Sequence, residues 1–158
     1  MNEDSNWLYH DHLDLEDQLD SCGAAAKRQD WPAVERLFGQ LVQRLKGHMR
    51  IEEEVLFPLY EQVPGTPGEP TESLRNDHDS MVNWCRDLHY NCQAQNAAGF
   101  ISALQPLRDL LAQHDVKEER FFLPMASHTL AGRRQEVLSR LKALDLKDGA
   151  GAKRVWGF

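Results

Sequence analysis

Apolar residues over the first 130 positions recur at alternating steps of three and four, the spacing of helices that each turn one face inward. Leu8, Leu15, Leu19, Cys22 and Ala26 share one such face, and Val34, Leu37, Leu41, Leu45, Val55 and Leu59 share a second. Leu74, Met81, Cys85, Leu88 and Cys92 form a third; Phe100, Leu104, Leu107, Leu111, Phe121 and Met125 form a fourth. No segment alternates as a strand would. Three breaks separate the segments. Asp30-Trp31-Pro32 sets a capping carboxylate ahead of a first-turn proline, Val63 to Pro70 (VPGTPGEP) is the strongest breaker, and Asn96-Ala97-Ala98-Gly99 is a weaker turn. Four helices of roughly 22–30 residues joined by short turns predict an all-α fold, an antiparallel up-down-up-down four-helix bundle, over residues 1–130. Residues 131–158 add a C-terminal amphipathic helix near 132–146 (Val137, Leu138, Leu141, Leu144) and, after Lys147, a flexible basic tail.

The pattern also repeats. At an offset of 66 residues Asp11-His12 falls on Asp77-His78, His48 on His114, Glu52 on Glu118, Glu53 on Glu119 and Pro58 on Pro124. A duplicated helical hairpin is the simplest source of that match.

Each apolar seam is interrupted by groups that are not apolar. His12 lies between Leu8 and Leu15, and His78 between Leu74 and Met81. The second seam passes through His48 and Glu52, the fourth through His114 and Glu118. In an antiparallel hairpin, residues equidistant from the turn are level. The midpoints of positions 12 and 48, of 48 and 78, and of 78 and 114 all fall within the three turns. The four histidines are therefore expected in one layer, with the two glutamates one turn, about 6 Å, away. Burying two carboxylates without partners would cost at least several kcal/mol each, and cations offset that cost. Six nitrogen and oxygen donors in two layers (His12, His48, Glu52, His78, His114, Glu118) suit two metal ions with the glutamates bridging. Imidazole and carboxylate without thiolate favour iron over manganese or zinc. Glu16, one turn from His12, is a candidate additional ligand, although its repeat mate is Val82. A single His-xxx-Glu is more often a surface pair; two copies level with two further histidines change that balance.

The net charge of −7 argues against nucleic acid as a partner. It is uneven: 11 basic and 22 acidic residues in 1–130, against 7 basic and 3 acidic in 131–158. No apolar run approaches the ~20 residues that cross a bilayer, and the acidic start is no signal peptide, so no membrane and a cytoplasmic location are expected. Three cysteines, Cys22, Cys85 and Cys92, make no disulfide framework and read as core. His10, His89 and His128 fall outside the layer. Glu53 and Glu119 are either acceptors for imidazole N–H groups or solvated charges.

The pattern His12 … His48-xxx-Glu52 … His78 … His114-xxx-Glu118, with EEEVLFP and EERFFLP after the paired donors, resembles the hemerythrin-like (HHE cation-binding) family across about residues 5–127. The resemblance implies a non-haem di-iron centre bridged by the two glutamates. It favours a metal- and ligand-binding protein over an enzyme, with dioxygen or nitric oxide as the small diatomic partner. Its alternatives are iron handling, iron-centre repair or di-iron redox catalysis, and a structural metal site in an interaction protein. The sequence departs from the oxygen carriers of that family at their third helix, where two ligand histidines lie four apart. Here Leu74 and Val82 flank His78.

Overall fold

The computed structural model describes residues 13–146 and 156–158, and the first of these ranges is almost wholly helical. Helix α1 (Leu13–Lys27) turns into α2 (Trp31–Ile51), which runs through a π-helical turn (Glu52–Leu56) into α3 (Phe57–Glu61). Helix α4 (Glu69–Gln93) leads to α5 (Ala97–Lys117), a second π-helical turn (Glu118–Phe122) and α6 (Leu123–Thr129). A short 3₁₀ turn (Ala131–Arg133) precedes α7 (Arg134–Leu146). Counting each π turn as part of the rod it joins, the described residues form four bundle helices and a fifth that packs at one end, with no strand among them.

The duplication reaches the backbone. The first and third turns use the same device, a left-handed glutamine followed by a capping side chain: Gln29 (φ 56°) before Asp30, and Gln95 (φ 51°) before Asn96. The Asp30 carboxylate accepts from the Ala33 N–H at 3.3 Å, and the Asn96 side chain accepts from the Gly99 N–H at 3.1 Å. Each preceding helix closes with the backbone N–H of the cap reaching five residues back, to Ala25 and to Asn91. The two π turns are also 66 residues apart. In each, the N–H after the turn bonds the carbonyl five residues earlier, Phe57 to Glu52 and Leu123 to Glu118. Pro58 and Pro124 come next. A proline has no N–H for the carbonyl four residues back, and its ring collides with that carbonyl; the wider turn relieves the collision.

That extra residue corrects the sequence reading of the fourth seam. Phe121 and Met125 were expected inside; Phe121 is 62% exposed and Met125 only half-buried, while Phe122 and Ala126 are in the core. The π turn advances the inner face by one residue. Its mate Val55 is nonetheless buried, because α7 packs over the first π turn and sets Val137 into the same cluster. In α2, Phe38 rather than Leu37 is fully buried.

The core is in two parts. One cluster joins α1, α2, α4 and α5 around Leu19, Leu41, Leu45, Met81, Leu88 and Leu107. The other gathers Leu56, Phe57, Tyr60, Leu74 and Phe122 with α7. Leu45 and Val55 on one rod, Met81 and Leu74 on another, and Leu111 and Phe122 on a third belong to opposite clusters, so the polar layer lies between two apolar ones. Of the tail expected to be flexible, residues 147–155 lie outside the described ones. Trp156–Phe158 is docked: Trp156 is buried, its carbonyl accepts from Arg86 Nε at 2.6 Å, and Phe158 stacks on His89 with ring centres 4.6 Å apart.

Candidate metal centre

The last turn of α2 carries His48, and Glu52 opens the π turn one helical turn later; His114 and Glu118 stand identically at the end of α5. At i and i+4 both side chains point the same way, into the layer that His78 enters from the middle of α4. His48 Nε2 lies 2.7 Å from Glu52 Oε1 and 3.5 Å from Glu118 Oε1. His78 Nε2 lies 2.8 Å from the other oxygen of Glu52, and His114 Nε2 lies 2.6 Å from Glu118 Oε1 and 3.8 Å from Glu52 Oε2. The His78 and His114 rings are 5.0 Å apart, and those of His48 and His114 are 6.2 Å apart. Three helices thus deliver three imidazoles and two carboxylates to one point.

The layer is shut off from solvent. Glu52, His78, His114 and Glu118 are at most 1% exposed; the His48 side chain, at 13%, is the open edge. Burial works against a charged His48, but the facing Glu52 carboxylate and Glu118 outweigh it and push its pKa up to about 10. For His114 burial is likewise overcome, by hydrogen bonds to Asp77 and Glu118, and the value rises to about 12. His78 is raised by Glu52 and Glu53 against the same burial. Glu52, which burial alone would raise, is held well below the ordinary carboxylate range by His48 and its other neighbours. Without a cation, protons do the neutralising.

The donor set nevertheless fits a metal better than protons. Both Glu52 oxygens and the Nε2 atoms of His78 and His114 are buried and satisfied by no hydrogen bond of good geometry; they face one another at ion-pair distance instead. His48, Glu52, His114 and Glu118 each place a donor atom within 4.8 Å of the others. The far nitrogens of two imidazoles are already occupied. His78 Nδ1 lies 2.7 Å from Glu53 Oε1, and His114 Nδ1 lies 3.2 Å from Asp77 Oδ2, which leaves each Nε2 to face inward. Phe57 stacks on His78, ring centres 5.9 Å apart.

Five of the residues expected at the site converge here, and two do not. His12 lies outside the described residues. Glu16 is corrected: its side chain is 64% exposed and faces Arg108 of α5 at 4.0 Å. Leu15, Leu19 and Cys22 define the inner face of α1, and Glu16, one residue on from Leu15, is turned about 100° away. Leu74 and Val82 are buried in the apolar clusters either side of His78. Of the two acidic neighbours, Glu53 accepts from an imidazole while Glu119 is exposed. Asp77 was not anticipated, although its place beside His78 within the repeated Asp-His pair was a visible signal. His89 stacks on the tail, His128 is exposed, and all three cysteines are buried and free, with burial raising the pKa of Cys22 and Cys85 to about 12. Among the described residues no helix is long and apolar enough to cross a membrane.

Comparison with known proteins agrees with this geometry. Residues 4–126 match the hemerythrin HHE cation-binding domain. An uncharacterised hemerythrin-like protein of Schizosaccharomyces pombe is 28% identical over 134 residues, covering 83% of this chain and 63% of that one. The chain thus spans under two thirds of the length of that curated relative. No solved structure matches. With the family's domain matched across most of its length and a buried His/Glu cluster able to hold a metal, the chain belongs to the hemerythrin HHE cation-binding domain family.

Proposed function

We propose that the chain is a non-haem di-iron protein that binds or senses a small diatomic ligand, dioxygen or nitric oxide. The observation that carries this reading is Glu52: a fully buried carboxylate whose two oxygens face imidazoles from different helices, His48 at 2.7 Å and His78 at 2.8 Å. A carboxylate with one oxygen toward each of two nitrogen donors could be shared between two cations. His48, Glu52, His78, His114 and Glu118 would hold the ions, with His12 as the repeat mate of His78. When bound, two ferrous ions supply electrons and an exchangeable coordination position.

The protein's own part is to orient donors and to exclude water. Glu53 and Asp77 hold His78 and His114 with Nε2 inward. Leu74 and Val82 add no donor, and Glu16 is turned to solvent, so the set is poorer in nitrogen than that of a third helix with two ligand histidines. Positions left unfilled by the chain are open to water or an incoming ligand, a property that suits sensing or redox chemistry more than storage. The test is to mix the anaerobic, iron-loaded, reduced protein with dioxygenated buffer, and separately with nitric oxide, in a stopped-flow spectrometer. Reaction with dioxygen followed by oxidation within minutes supports the proposal. A dioxygen adduct that persists for hours and is reversed by vacuum would assign a carrier, and no optical change with either gas would remove the ligand-binding reading.

A further inference from the structure

His114 is the most heavily tethered imidazole in the layer, and the tether leads to the surface. Its Nδ1 meets Asp77 Oδ2 at 3.2 Å. Lys117, three residues beyond His114 on the same face of α5, donates to Asp77 Oδ2 at 2.8 Å and to Oδ1 at 2.9 Å, and to Ser73 Oγ at 3.0 Å. Ser73 and Asp77 are one turn apart on α4. Two residues of one helix therefore interlock with two of the next, at the height of the layer. Asp77 is largely buried, 12% exposed at its side chain, whereas the Lys117 side chain is 40% exposed.

The arrangement is specific to the second half of the duplication. At the offset of 66 residues, His114 matches His48 and Asp77 matches Asp11, but Lys117 matches Ile51 and Ser73 matches Trp7. The repeat carried histidine and aspartate through both halves, and the lysine stands in only one. A carboxylate that must accept from an imidazole while remaining ionised needs a cation or a donor on its remaining lone pairs. Lys117 supplies that to both oxygens of Asp77.

The geometry points to Asp77 and Lys117 as positioning residues of the metal centre: Asp77 fixes the ring of His114 with Nε2 toward the layer, and Lys117 anchors Asp77. The inference rests on the metal-binding reading and goes beyond it, because it assigns firm retention of the ions to a pair that touches none of the inward-facing donor atoms. A neutral amide at position 77 can accept from Nδ1 but gives Lys117 no charge to hold, so the ring loses its fixed orientation. Loss of such an outer partner lowers metal affinity about 10- to 100-fold.

The experiment uses the full chain loaded with ferrous iron under anaerobic conditions and follows transfer of iron to a coloured chelator, with circular dichroism confirming the helical fold of every variant. Asp77→Asn should release iron about 10- to 100-fold faster than wild type, Asp77→Glu should recover most of the retention, and Lys117→Met should give a smaller acceleration in the same direction. Asp20→Asn, which disrupts the exposed ion pair with Arg108, should release iron at the wild-type rate. Should Asp77→Asn and Lys117→Met both retain iron as wild type does, while His114→Ala loses it, the inference is overturned and the metal centre stands. Acceleration in Asp77→Asn without recovery in Asp77→Glu, with both melting early, would also overturn it, assigning Asp77 to general packing. Wild type that folds but takes up no iron would overturn the metal reading and this inference with it.

Discussion

Replacing Glu52 by Gln keeps the shape of the side chain and removes one negative charge from the centre of the layer. In the metal-free protein that carboxylate is the nearest partner of His48, at 2.7 Å, and of the inward nitrogen of His78, at 2.8 Å, and stands 3.8 Å from His114. Glu118 remains for His114 at 2.6 Å and for His48 at 3.5 Å, but His78 keeps only Glu53 on its outer nitrogen. Breaking a buried pair by removing one partner costs about 3–5 kcal/mol. His78 can lower that toward the bottom of the range by giving up its proton. At about 2–4 °C per kcal/mol for a chain of this size, a loss of about 3 kcal/mol lowers the melting temperature by about 6–12 °C. Thermal melts at pH 7 in the presence of chelator measure this directly. The same melts with excess ferrous iron should show the variant gaining less from metal than wild type gains, since one proposed ligand is gone. A metal-free variant that melts within about 2 °C of wild type would refute the reasoning, because at about 2–4 °C per kcal/mol it would leave the buried carboxylate contributing less than about 1 kcal/mol.

Other outcomes follow from the same geometry. In the metal-free protein His48 and His114 have pKa values of about 10 and about 12 against an ordinary 6.5; their contribution is complete below about pH 6.5 and is lost as pH rises through the folded values, so chelator-treated protein should lose melting temperature from pH 7 to 10. On the proposed reading, in which metal and not protons would hold the imidazoles of iron-loaded protein, that form should be far flatter over this range. Trp156→Ala should destabilise by about 2 kcal/mol, below the 3–5 kcal/mol of a deep aromatic truncation because the terminal segment can detach, and should leave iron content unchanged. Gln95→Gly, at a left-handed position, should stabilise by up to about 1 kcal/mol in urea melts.

Most of the bundle was legible because one period and one repeat governed it. Seam residues such as Leu19, Leu41, Met81 and Leu107 are buried where a 3.6-residue helix puts them, and the turns at Asp30 and Asn96 announce themselves by their capping side chains. The layer was legible for the same reason: equal distances from the turns bring His48, His78 and His114 level. The reading failed where the helix itself changes period. The π turn at Glu118–Phe122 moves the inner face by one residue and turns Phe121 outward, and a pattern search at a fixed 3.6 residues cannot register that. Prolines at matched places after each glutamate were the available hint. Glu16 was placed from its spacing to His12 alone; it is one residue on from Leu15, whose face the apolar seam already marked as the inner one, and its side chain is 64% exposed. The repeated Asp-His pair marked Asp77, but not which imidazole it meets, because that partner lies on another helix, 37 residues away.

The central proposal is that the buried layer around Glu52 and Glu118 would hold two iron ions inside the bundle. Elemental analysis of protein from iron-replete cells, purified without chelator and expressed per folded chain, tests it most directly. Two metal ions per chain are expected, mostly iron, falling sharply in Glu52→Ala and Glu118→Ala. One tightly held zinc per chain, or a metal content that neither substitution changes, would contradict it.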